Sequence, residues 1–323
     1  MARRLRILRH GAVYHVTTRS YHDELRLTPG PRVNLLVKST LIRAAQRTGV
    51  ALYVALILGN HVELLVGDPD ERLDDFMEEF LKELSHRLNR LRGVKHSNFP
   101  VRYKSTEIGD REAGERAIAR ILCNAVRARL VYEADDWPGF STLEAHRRGQ
   151  STLASPLPSR RDAEELATRE LEQTWRGQME TVEATLGRPP FWPDMTDAQV
   201  HARICELVDA EQARLQADID RSNERVIGPN RILREHWRER PADVAWRADR
   251  PSVSSDPRWN EEYEDYFERE TRRYRRASKR WRRFGQWGDY PPGSFPPGWV
   301  RALPTSRSAG PALPWVRRKA TGT

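Results

Sequence analysis

The period of the apolar positions changes along the chain, and each change marks an element. Val13 to Arg19 (VYHVTTR) is β-branched and aromatic, the composition of a strand. After a loop carrying Pro29, Gly30 and Pro31, the residues Val33, Leu36, Val37, Leu41 and Ala44 recur at helical spacing, and Gly49 closes the helix. Ala51 to Leu58 (ALYVALIL) is an unbroken apolar run, as in a buried strand. Gly59 and Asn60 supply a two-residue hairpin turn, and His61 to Val66 (HVELLV) is the return strand. Phe76, Phe80, Leu84, Leu88 and Leu91 mark a second helix that ends at Gly93. Val101 to Ile108 is a fourth strand, and Arg111 to about Leu130 a third helix. The order β-α-β-β-α-β-α predicts an α+β fold: a ferredoxin-like antiparallel sheet with helices on one face and one added C-terminal helix.

Beyond residue 143 the texture changes. Nine of the ten tryptophans lie from Trp175 onward, in charged helical stretches interrupted by proline. Residues 160 to 186 and 197 to 225 read as charged helices, and Thr196 followed three positions later by Gln199 marks a capping box. A further helical stretch runs from about Trp259 to Phe284. These boundaries divide the chain into a domain at 1–143, a linker at 144–160 (Ser, Pro and Leu-rich from Ser151), a long helical basic extension at 161–284 and a Pro/Gly-rich tail at 285–323.

Composition narrows the classes. No apolar run approaches the roughly 20 residues that span a bilayer, and the start MARRLRILRH lacks a secretory signal, so no membrane partner and a cytoplasmic, nucleoid-associated location are expected. Cys123 and Cys205 are too few for a disulfide framework or a thiolate zinc site. The net charge of +9 and pI near 9.8 favour a polyanionic partner. Residues 269 to 283 concentrate nine cations, among them Arg272, Arg273, Arg275, Arg276, Lys279 and Arg280, around Tyr274 and Trp281, with Phe284 following. That interleaving suits phosphates and unpaired bases. The same run also fits a solvated helix balanced by the acidic residues upstream of it.

The chemistry concentrates at Gly59-Asn60-His61-Val62-Glu63-Leu64-Leu65. Residues two apart on a strand share a face, so His61 and Glu63 project together, an imidazole and a carboxylate able to hold a divalent cation. Spacing alone does not separate such a pair from a solvated strand face. His15, His22, His86 and His96 stand alone and read as structural or solvated.

GAVYHVTTRS at 11 to 20, LILGNHVELL at 56 to 65, VRYKSTEI at 101 to 108 and CNAVRARLVYEADDWPGFSTL at 123 to 143 resemble, in order and spacing, the single-tyrosine transposases of the IS200 type, specifically the REP-associated tyrosine transposase branch. The resemblance covers residues 1 to 143. It implies the same β-α-β-β-α-β-α plan and enzymes that cut and join single-stranded DNA, with Mg²⁺ or Mn²⁺ held by paired histidines and a polar helical residue, and a tyrosine as nucleophile. Carried onto this chain, the metal set becomes His61, Glu63 and Asn124, and the tyrosine position falls on Arg120, one helical turn before Asn124. Glutamate can replace a histidine toward a hard cation. Arginine cannot replace a nucleophilic tyrosine, because a guanidinium stays protonated, yet it can grip a phosphate bidentately. The family's prolines at 59 and 125 and glycine at 129 are here Gly59, Ala125 and Arg129.

The resemblance therefore implies a protein that binds single-stranded or stem-loop DNA, as monomer or homodimer, with a weakly held Mg²⁺ or Mn²⁺ and no catalytic residue. The expected DNA contacts are an N-terminal arm (Arg3, Arg4, Arg6), Arg19, Arg102, Lys104, Arg120 and Arg127, together with the basic helix. The alternatives are an active metal-dependent transposase or nicking enzyme using a metal-bound water or a displaced tyrosine, with Tyr103, Tyr132 and Tyr14 as the tyrosines considered, and a structured-RNA binder.

Overall fold

Eight residues of strand β1, Ala12–Arg19, lie at the middle of the sheet that organises the molecule. The computed structural model describes residues 5–165, 180–241, 252–285, 290–294, 299–300 and 316–317. After β1 come α1 (Pro31–Thr48), β2 (Ala51–Leu58), β3 (His61–Asp68), α2 (Leu73–Arg92), β4 (Lys104–Ile108) and α3 (Arg111–Leu122). The strand order β2-β3-β1-β4 is antiparallel throughout, which is the ferredoxin-like arrangement expected. A two-residue strand β7, Ser252–Val253, then adds to β4 in parallel, so the sheet is mixed and five-stranded rather than purely antiparallel. Local chemistry sets the helix ends. Gly49 and Gly93 cap α1 and α2 in the left-handed conformation, at φ 77° and 62°, and the Asp110 side chain accepts from Ala113 N–H at 2.8 Å to start α3.

Helices α1 and α2 share one face, as expected, and the added helix α3 covers the other. Val16, Val62, Leu64 and Val66 pack with α1 and α2 in one core, whereas Val54, Leu56, Leu58 and Leu65 pack with α3 in a second core on the opposite face. Because β2 and β3 are covered on both sides, their sequences are near-continuous apolar runs instead of alternating ones. The free edge of β2 is covered by the DWPGFST segment: Ile57 N–H donates to Phe140 O at 2.9 Å, Thr142 N–H to Ala55 O at 2.9 Å, and the Trp137 indole to Ile57 O at 3.0 Å.

The third helix is not continuous to residue 130. It breaks at Cys123, and Asn124–Arg127 form a short α4. Cys123 N–H still bonds Ala119 O at 3.0 Å and Arg127 N–H bonds Cys123 O at 2.9 Å, so the axis carries on through the break. The fourth strand starts at Lys104, three residues later than expected, and Val101 is exposed.

Residues 144–160, expected as linker, are structured. Leu143–Arg147 form α5, and Thr152–Pro156 form β5, which pairs antiparallel with β6 (Thr181–Thr185) and lies against α1. Helix was expected through residue 186. Thr181, Glu183 and Thr185 alternate with the more buried Val182 and Ala184, a strand period that the charged surroundings mask. The remainder of that helix, 166–179, lies outside the described residues, as does most of 285–323. Helix α6, Asp197–Ser222, begins with the predicted Thr196/Gln199 capping box, and its Val200, Ile204, Val208, Leu215 and Ile219 complete the second core. Helix α7, Pro257–Phe284, rests Tyr263 and Phe267 on Ile7.

A buried chain of hydrogen bonds ties α6 to the sheet. Ser151 Oγ lies 3.0 Å from His201 Nε2, His201 Nδ1 lies 2.9 Å from His146 Nδ1, and His146 Nε2 lies 3.1 Å from Tyr53 O. The Tyr53 carbonyl only accepts, so His146 carries a proton on Nε2, and with both rings neutral its Nδ1 accepts from His201. Burial, then the neighbouring His201, lower His146 to about 4. An unfolded histidine takes up its proton near 6.5. Stability is therefore complete above that value and is lost as pH falls from about 6.5 toward 4. Urea unfolding across that window should show a flatter pH dependence for His146→Gln than for the unaltered protein.

Candidate nucleic-acid and metal site

The site lies at the β1/β3 end nearest the Gly59-Asn60 turn. Register places Arg19 opposite His61 and Thr17 opposite Glu63 on β1 and β3, and Lys104 opposite Thr17 on β4. Residues paired across antiparallel strands share a face, so His15, Thr17, Arg19, His61, Glu63 and Lys104 all point toward α3 and α4. Asn124 opens α4 directly above them, and its Nδ2 lies 3.1 Å from His61 Nε2. His61 Nε2 lies 4.0 Å from Glu63 Oε1, and the Asn60 side chain meets His61 Nδ1 at 2.7 Å. The three residues singled out as a metal set are thus brought together from a strand and a helix far apart in sequence.

Glu63 is 8% exposed, and its Oε2 has no hydrogen-bond partner. Burial raises its carboxyl to about 7, while Arg120, Arg127, Arg19 and the Asn124 amide pull the other way. His61 is lowered to about 4, first by burial and then by Arg19, so its ring is neutral near pH 7 and able to donate a lone pair. Among the described residues no group of three His, Cys, Asp or Glu side chains gathers to hold a metal. The Asn124 amide presents Nδ2 to His61, so a cation here would need its oxygen turned in beside His61 and Glu63. The orphaned Glu63 Oε2 and the mixed N and O donors fit such an ion.

Arg120 is exposed on the last turn of α3 and enters no hydrogen bond or ion pair among the described residues. Its charge nonetheless reaches both Glu63 and the buried His15. Arg127 also acts on Glu63 while pairing with Glu211 of α6. His15, read from sequence as an isolated structural residue, belongs to this face. Its Nε2 is buried without a partner, and burial followed by Arg120 lowers it to about 4. Strand alternation along 15, 17 and 19 carried that signal, but only the register to 61 and 63 gives it meaning.

Other expected contacts lie elsewhere. Arg6 is corrected: its guanidinium is buried, paired with Asp74, donating to Tyr103 O at 2.6 Å and stacked 3.5 Å from the centre of the Tyr103 ring, so it holds the fold and offers no face to a phosphate. Arg102 lies 3.8 Å from the same Asp74, outside the His61 pocket. Arg3 and Arg4 lie outside the described residues.

No family model matches the chain, and no curated protein does. Among solved structures, a REP-associated tyrosine transposase bound to a REP hairpin is similar over 46% of this chain and 86% of its own, at 17% identity and a TM-score of 0.40. A protein from Deinococcus radiodurans described as a transposase is similar over 38% of this chain and 97% of its own, at 18% identity and a TM-score of 0.27. No helix of the described residues is long and apolar enough to cross a membrane.

Arg120 holds down the proton affinity of two buried neighbours, which makes its placement testable. Replacing it with alanine should raise the titration midpoints of both His15 and Glu63, followed by NMR against pH. Unchanged midpoints would put the guanidinium outside the pocket.

Proposed function

We propose that this chain binds single-stranded or hairpin DNA and does not cut it. One observation carries the reading: an exposed arginine without an ion pair among the described residues occupies the position one turn before Asn124, beside a cluster of buried Glu63 with half-buried His61 and Asn124. In the family the sequence resembles, that position holds the attacking tyrosine. A guanidinium cannot form a phosphodiester, but it binds a phosphate through two parallel N–H groups.

The tyrosines considered as substitutes are sequestered. Tyr103 donates its hydroxyl to Asp74 at 2.7 Å beneath Arg6, and burial pushes its hydroxyl well above the ordinary range. Tyr14 is buried with its hydroxyl accepting from Arg9 N–H at 2.7 Å, and burial raises it as well. Tyr132 donates to Asp220 of α6, at 3.2 and 3.1 Å from the two carboxylate oxygens. None is positioned as a nucleophile beside Asn124.

Mg²⁺ or Mn²⁺ would be held by His61, Glu63 and Asn124, and when bound would neutralise charge on a phosphate oxygen. The chain's own part is to present Arg120, Arg127 and Arg19 around that point and to keep His61 neutral. Incubation with labelled hairpin DNA and Mn²⁺ should give a retarded complex on native gels and neither shortened nor protein-linked strands on denaturing gels. An adduct mapped to any tyrosine would overturn the reading.

The basic part of α7 adds phosphate contacts. Arg272 is paired with Glu268 at 3.2 Å and Arg273 lies 3.5 Å from Glu270, whereas Arg275, Arg276 and Lys279 are exposed and enter no ion pair among the described residues. Arg102 acts on Tyr274, so it borders this surface. Replacing Arg275, Arg276 and Lys279 with alanine should weaken binding to all sequences alike. The slope of log affinity against log salt should lessen by about one for each phosphate that is no longer neutralised. An unchanged slope would make the helix a solvated face.

A further inference from the structure

The loop after β1 and the segment around Trp237, more than 200 positions apart in sequence, meet beside the His61 end of the sheet. Ser20 N–H donates to Asn60 O at 2.9 Å, which pins the loop to the β2–β3 turn next to His61. The loop then turns through two successive left-handed residues, His22 at φ 51° and Asp23 at φ 58°, a backbone that side-chain-bearing residues seldom adopt. Its shape is kept by the Ser20 hydroxyl on Glu24 O and by an Arg19–Asp23 ion pair of 3.0 Å. The consequence is an outward pair of rings: Tyr21 and His22 are both exposed, in edge contact at 3.9 Å between centroids.

The second wall comes from residues 236 to 240. Leu25 N–H donates to Glu239 O at 2.8 Å, and Arg240 lies 3.5 Å from Glu24. Trp237 is half-buried among three guanidiniums, with Arg238, Arg92 and Arg26 at 4.6, 4.7 and 5.5 Å from its ring. Arg26 also lies 5.3 Å from the Tyr21 ring, so one cation bridges the two aromatic walls. Two carboxylates here are paired, Asp23 with Arg19 and Glu24 with Arg26 and Arg240, while Glu239 is exposed. Tyr21, His22, Arg238 and Arg240 face solvent beside it.

We propose that Tyr21, His22 and Trp237, with Arg238, form a stacking platform for unpaired bases flanking a hairpin. The proposal rests on the DNA-binding reading above and adds a base-contacting surface to the phosphate-contacting one. Trp237 and its guanidiniums also clamp the 236–240 segment to the loop, but a clamp does not require Tyr21 and His22 to stand exposed. Rings interleaved with cations are the chemistry by which single strands are held, since every base has a π face and every linkage a charge.

The test uses the full chain and two DNA hairpins of identical stem, one blunt and one with short unpaired tails carrying 2-aminopurine. The tail fluorescence should be quenched by the unaltered protein. In a Tyr21→Ala, His22→Ala double variant, with circular dichroism matching the unaltered protein, the quenching should vanish and affinity for the tailed hairpin should fall about tenfold. Affinity for the blunt hairpin should hold, and Tyr21→Phe should behave as the unaltered protein. Retained quenching and affinity in the double variant, or equal losses on both hairpins, would overturn the platform alone. If the unaltered protein binds neither hairpin, the DNA-binding reading and the platform fall together.

Discussion

Burial of a carboxylate in the middle of a strand covered on both faces is the constraint on which the site depends. Val62 and Leu64 enter one core and Leu65 the other, so Glu63 has nowhere to go but inward, under α3 and α4. Burying an uncompensated carboxylate is costly, and the fold answers with three arginines and an amide around it. The compensation is incomplete, since one carboxylate oxygen stays without a partner. Two of the three arginines are themselves shared with other carboxylates, Arg127 with Glu211 and Arg19 with Asp23, which leaves Arg120 as the exposed one.

The same constraint explains why the extension is part of the site. Arg127 is shared between Glu63 below and Glu211 of α6 above, so the helix over the pocket is held from both sides. Two residues on, Arg129 adopts φ 59°, a conformation suited to glycine, closing α4 through Leu130 N–H on Ala125 O at 3.0 Å. Its guanidinium pairs with Asp218 at 2.8 Å and Glu224 at 2.7 Å, anchoring that turn to α6. The arginine at a glycine position, a departure from the family pattern in sequence, is an attachment point in three dimensions.

One helical position sets the character of the pocket. The chain keeps a strand imidazole, a strand carboxylate and a helical amide in mutual contact, and it places a permanent cation where covalent chemistry would need a hydroxyl. Tyrosines that could have taken over are tied to Asp74, Arg9 and Asp220.

By itself the sequence determined the element order, the glycine-terminated helices, the Thr196 capping box and the shared face of His61 and Glu63, because periodicity, turn residues and strand alternation are local properties. Asn124 and Arg120 were singled out only by the family resemblance. Only the tertiary structure decided that the sheet is covered on both faces, since an apolar run says that a strand is buried and not by what. At 152–156 and 181–185 polar and charged neighbours mask a short strand period whose partner lies far along the chain, Thr152 against Thr185. Arg6 looked like a DNA-binding arm until its partner Asp74 was brought to it, and His15 looked isolated until β1 was registered on β3. In each case the deciding interaction joins residues that the chain alone keeps apart, and a charge or a ring takes its role from the neighbour that folding supplies.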